Sequence, residues 1–225
     1  MNRQSILLFA FMIFVSCSQN KPVDEQQTTA DQISPPPPTP EDSNVFKMNT
    51  RMDTIPTDRF WMLVNKARFY ANGNDSIKEH TLISYLEVLS TEAILKFEVA
   101  LRKCIIDADN SKIMAAQKLI MGSVTDKSYL YFRCWLIGQG KVAFKEILKD
   151  PDYLATIVNK GDNCQWKNLL QIATKAFEMH TEKNDSSISP MDYAIAKGMD
   201  YSDVARPINR DELTNEQLPT LLPKL

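Results

Sequence analysis

Histidine is scarce in this chain: among 225 residues there are two, His80 and His180. Neither has a second ligand type at helical spacing, which leaves no zinc-binding pattern. Glycine is sparse as well, with six residues. The nearest approach to a phosphate-cradling loop, Gly138-Gln139-Gly140-Lys141, lacks the required frame and a preceding strand, so it reads as a helix-breaking turn. No Gly-x-Ser-x-Gly nucleophile elbow occurs. Asp107-Ala108-Asp109-Asn110-Ser111-Lys112 superficially follows a calcium loop. Lys112, however, takes the place of the turn glycine and Lys118 that of the closing glutamate, which excludes calcium. No cofactor and no metal is expected.

An excess of one charge is also missing. From Asp58 onward there are 22 basic and 22 acidic residues, while residues 18–57 hold three basic against six acidic ones. Such a domain has no long-range field to gather DNA or RNA, and a nucleic-acid role is excluded on that ground. A membrane-spanning run is absent too. The longest apolar stretch, Ile6 to Val15, has ten residues, against about twenty needed to cross the hydrocarbon.

That short stretch is nonetheless informative. It follows Arg3 and ends in Phe14-Val15-Ser16-Cys17, the layout of a signal peptide. The ending resembles the lipobox of bacterial lipoproteins, with Phe14 where leucine is usual, and the following Ser18-Gln19-Asn20 resembles Bacteroidota lipoproteins. The resemblance implies cleavage after residue 16, acylation of Cys17 and anchoring to a membrane through the N-terminal lipid. Because Ser18 is not the aspartate of inner-membrane retention, an outer-membrane lipoprotein of a Gram-negative bacterium is expected, on its periplasmic or surface face. Residues 17–57 then form a disordered tether. Their Gln26-Gln27-Thr28-Thr29 and Pro35-Pro36-Pro37-Pro38-Thr39-Pro40 carry no periodic apolar face, and such a coil spans on the order of 35 Å.

Residues 58–225 read as one all-α domain of several helices. Phe60, Val64, Ala67 and Ala71 recur at helical spacing after a candidate cap at Thr57, and Gly73 supplies a stop. Leu82, Tyr85, Leu86 and Leu89 mark the next helix. Ser90 caps a third with Ile94, Phe97, Leu101 and Ile105 inward. A fourth runs from Ile113 to Met121 and stops at Gly122. Thr125 caps a fifth reaching Gly138, in which the aromatic-rich run from Tyr129 to Ile137 is read as buried helix rather than strand. Val142 to Lys149 continue as helix. Asp150-Pro151 opens another through Val158, and a further one spans Gln165 to Glu182. Ser189-Pro190 repeats the cap-proline signature, and Thr214 to Gln217 have capping-box spacing.

Phe60-Trp61, Phe132-Arg133-Cys134-Trp135-Leu136-Ile137, Gly140, Asp150-Pro151-Asp152 and Pro223-Lys224-Leu225 together resemble the family called domain of unknown function 4240. The departures are Ser123, Thr125, Lys127 and Tyr129, which replace a glycine, a serine, an aspartate and a phenylalanine of the family's pattern. The resemblance implies a helical domain and brings no established activity.

Candidate interaction or structural residues are Asp126, Arg133, Trp135 and Asp150. Arg133 has no carboxylate three or four positions away, so its guanidinium must snorkel to water, find an acid from another helix, the outcome expected here, or face a ligand. Asp126, Asp150 and Glu98 are the candidate acids. Cys104, Cys134 and Cys164 remain after lipidation, an odd number that leaves at least one free thiol. Cys104 and Cys134 read as small hydrophobes, with a disulfide as the alternative. The expected function is an envelope-anchored protein-interaction module with an unknown protein partner. The alternatives are an enzyme whose site gathers Asp126, Glu98 and Asp150, and an immunity-like binder of a toxin.

Overall fold

The computed structural model describes residues 57–181, 188–202 and 216–225. Cys17, the tether, and Thr214 of the expected capping box lie outside the described residues. Among those described, every regular element is a helix. The α-helices are α1 (Thr57–Ala71), α2 (Asp75–Glu87), α3 (Thr91–Asp107), α4 (Ser111–Met121), α5 (Asp126–Gly138), α6 (Lys141–Lys149), α7 (Ile172–His180), α8 (Pro190–Ala196) and α9 (Leu218–Leu221). Two 3-10 turns, Pro151–Thr156 and Lys167–Gln171, complete the set.

Helix boundaries follow local chemistry. Ser90 Oγ accepts the Ala93 amide at 3.3 Å. Thr125 and Ser128 form a reciprocal capping box at the start of α5. Gly122 ends α4 with φ 78°, a left-handed conformation that costs a side-chain-free residue nothing. Asn74 and Asn110 cap α2 and α4 by accepting amides two or three residues ahead.

Two expected helices differ. The segment after Asp150 winds as a 3-10 turn and ends at Thr156. Pro151, Asp152 and Leu154 face inward, and Ile157 then turns to solvent, so no apolar stripe extends the helix. The expected helix from Gln165 is broken as well. The Trp166 amide bonds the Tyr131 carbonyl at 3.1 Å in place of a helical partner, with backbone at φ −134°, ψ 73°. Regular α-helix begins only at Ile172.

Helix α3 lies at the centre, packed against α1, α2, α5, α7 and α8. Adjacent aromatics fix α1 in two directions. Phe60 meets Phe97 of α3 with ring centroids 5.1 Å apart, and Trp61 meets Phe144 of α6, also at 5.1 Å. Such pairs contribute roughly 0.5–1.5 kcal/mol each beyond area burial. The C-terminus is also drawn in: Leu218 and Leu222 enter the core, and the Lys224 amide donates to the buried Asp152 carboxylate at 3.3 Å.

Candidate functional site

Where α1 ends, α2 begins and α5 ends, the backbone turns away on three sides and leaves a cleft of about 450 Å³. Arg68 and Phe69 line it from α1, Asp75 and Lys78 from α2, and Trp135 and Gln139 from α5. Phe69 is the most exposed large apolar side chain described, at 78 %. It stands edge-on to Tyr70 with centroids 5.4 Å apart. Trp135 stacks on Phe132 at 5.9 Å and keeps part of its surface open, whereas Trp61 and Trp166 are buried.

Behind this opening the packing is tight. Lys78 is 6 % exposed, its ammonium 2.7 Å from Asp75 and 4.3 Å above the Trp166 ring. Opposed charge and the electron-rich ring face together compensate the lost hydration. Gly138 is needed beside them: a Cβ there would lie 2.8 Å from the Trp166 ring. At Gly140, φ is +88° and a Cβ would meet Asn65 Oδ1 at 2.5 Å. The following amide, of Lys141, donates to that same oxygen at 3.2 Å.

A second polar group of residues is enclosed. Arg133 is 3 % exposed; its Nη1 donates to the Ile105 carbonyl at 3.0 Å and lies 3.2 Å from Asp109 Oδ2. The guanidinium also covers the Tyr129 ring at 4.6 Å. Tyr129 Oη donates to the backbone at Ala108 or Asn110, with its oxygen 3.2 and 2.9 Å from the two carbonyls, and accepts the Asn110 amide at 3.0 Å. Arg133 and Tyr129 thus secure the turn between α3 and α4, and Arg133 caps a last-turn carbonyl of α3. Nearby in sequence, Arg102 Nε donates to Glu98 Oε1 at 2.6 Å, both side chains being 4 % exposed. Tyr201 covers that guanidinium at 4.6 Å. Burial pushes the Glu98 carboxyl above its ordinary range, against the pull of Arg102.

Of the four sequence-predicted residues, Trp135 alone reaches the cleft. Arg133 does find an acid, but from the turn between α3 and α4 rather than from another helix, and that acid is Asp109 rather than Asp126, Asp150 or Glu98. Asp126 stands exposed in the first turn of α5. Asp150 caps the 3-10 turn by accepting the Asp152 amide at 3.1 Å. Neither of these aspartates, nor Glu98, lines the cleft. Cys104, Cys134 and Cys164 are all free thiols and buried. Burial pushes Cys104 and Cys134 up to about 12 and Cys164 up to about 11. His80 and His180 are exposed, and among the described residues no His/Cys/Asp/Glu trio is placed to hold a metal. Arg68, Phe69 and Lys78 were not singled out by sequence. Only an aromatic on the polar side of α1 could have signalled Phe69.

Geometry therefore defines an α-helical domain with a half-polar, aromatic-edged cleft built on the Phe132–Gly140 block. Residues 55–179 match the family described as protein of unknown function (DUF4240), and the chain belongs to that family. The match stops short of Pro223-Lys224-Leu225, although Asp152 inside it holds the Lys224 amide. No curated protein and no solved structure matches the chain.

Proposed function

We propose that this protein is an envelope-anchored lipoprotein whose helical domain is a protein-interaction module, with the cleft at Trp135 as its contact surface. The observation that carries the module reading is the rim itself. An aromatic at 78 % exposure beside a half-open tryptophan and an arginine is the composition of a binding hot spot. An apolar side chain of that size left in water gains by being covered, and by about 1.5–3 kcal/mol when fully buried. Anchoring rests on the lipobox-like ending at Cys17 and the Pro-rich tether, which would hold the domain away from the membrane surface.

Two experiments test the parts separately. A photo-reactive phenylalanine analogue at position 69 of the full chain, in cells, is expected to give a discrete adduct. The same group at Met179 gives none: Met179 is 59 % exposed and precedes His180, whose Nδ1 lies 2.9 Å from the Glu87 carbonyl at the far end of α2, about 18 Å from Asp75 along that helix. Equal labelling at both positions, or none at 69, overturns the module reading. For the anchor, the wild-type chain is expected in the detergent phase of a phase-separation assay and the Cys17→Ser chain in the aqueous phase. Wild type in the aqueous phase overturns it.

A further inference from the structure

We infer that the cleft takes a single carboxylate flanked by an apolar side chain, presented by an acidic segment of the partner protein. This deepens the module reading and rests on it.

Arg68, Lys78 and Asp75 line the cleft, a local sum of one positive charge. Lys78 is held by Asp75 at 2.7 Å and by the Trp166 ring at 4.3 Å, so its role is largely internal. Arg68 has no acidic partner among the described residues and stands exposed at the mouth. Its stem passes beside Gly140: a Cβ there would lie 3.6 Å from Arg68 Cδ. A planar guanidinium with open donors matches a carboxylate in two-point geometry.

Neighbouring dipoles decide against a dianion. Helices α1 and α5 both end at the cleft, and each C-terminus contributes about half a negative charge, against about half a positive one from the start of α2. The sum, about half a positive charge, is far from balancing a dianion and lies nearest to a single carboxylate. The aromatic edges supply the rest. An apolar side chain next to the acid in sequence can lie on the Trp135 indole or against Phe69, which covers surface that water now touches.

Trp135 gives the readout, because Trp61 and Trp166 are buried. Fluorescence of the intact chain is titrated with the blocked dipeptides acetyl-Asp-Phe-amide, acetyl-Asn-Phe-amide and acetyl-Lys-Phe-amide. A saturable change is expected for the aspartyl probe, with binding about fivefold tighter than for the asparaginyl one. The preference should vanish in 1 M salt, where the screening length is about 3 Å. Arg68→Gln should lose the preference while keeping the wild-type melting temperature, since Arg68 is exposed. Arg68→Glu should transfer the preference to the lysyl probe. Equal response to all three probes, no response to any, or a preference that survives Arg68→Gln overturns the inference. A position-69 adduct obtained alongside any of these would leave the module reading standing and reject only the carboxylate.

Discussion

Replacing Arg133 with leucine removes the most heavily used buried cation of α5. The change keeps apolar volume but takes away three contacts at once: the 3.2 Å approach to Asp109, the 3.0 Å bond to the Ile105 carbonyl and the stack on Tyr129. Asp109 is 11 % exposed at its side chain and cannot simply turn to bulk water. Breaking a buried pair by removing one member costs on the order of 3–5 kcal/mol, and the uncapped carbonyl belongs within the same figure. With a urea dependence of about 2 kcal/mol per molar, the midpoint should fall by roughly 1.5–2.5 M at unchanged slope. Double replacement, Asp109→Leu with Arg133→Leu, removes both charges and should recover at least half of the loss, because an apolar pair often substitutes neutrally for a buried ionic one. Equilibrium unfolding followed by circular dichroism measures both. An Arg133→Leu midpoint equal to wild type would refute the buried pair, and a double variant no better than the single would move the cost to the Ile105 carbonyl and the Tyr129 stack.

Gly138→Ala should destabilise by about 1–3 kcal/mol although alanine is the better helix former, since its Cβ would sit 2.8 Å from the buried Trp166 ring; a thermal melt at or above wild type would show that the indole gives way. Native protein at pH 8 should resist iodoacetamide at Cys104, Cys134 and Cys164, whereas the chain in guanidinium labels at all three, as read by intact mass. The same raised thiols set a sign with pH. Ordinary thiols, near 9.0, ionise in the unfolded chain before the folded ones at about 12, so stability present below pH 9 should decline as pH rises from there, as tracked by urea midpoints. Deleting residues 18–50 should leave the melting temperature within about 1 °C of wild type, and a larger drop would mean that the segment docks on the domain.

Caps were the most legible feature of the fold, because they depend on a few adjacent residues. Ser90, Thr125, Ser189 and Gly122 each do what their type and position imply. Trp166 shows where such reading ends. Nothing within five residues of it announces that its indole is seated on Gly138 and Lys78, yet that placement takes the chain out of helix at the middle of a helical pattern. Arg133 divides the same way. Its need for a distant acid follows from its own helix, but the acid is in a turn 24 positions earlier, in a stretch whose aspartates suggested only a failed calcium loop. The cleft was legible through Trp135 alone. Arg68 and Phe69 look like ordinary surface positions of α1 until α5 is brought against them.

The bond from the Lys224 amide to Asp152 couples two stretches of chain 72 positions apart. Asp152 is 4 % exposed, and Leu218 and Leu222 sit in the core beside the same segment. If that segment lifts away, the carboxylate loses an amide donor while still enclosed, an outcome that costs more than opening the turn along with it. The turn at Pro151–Thr156 and the segment from Leu218 onward therefore open together as one cooperative unit rather than fraying one residue at a time.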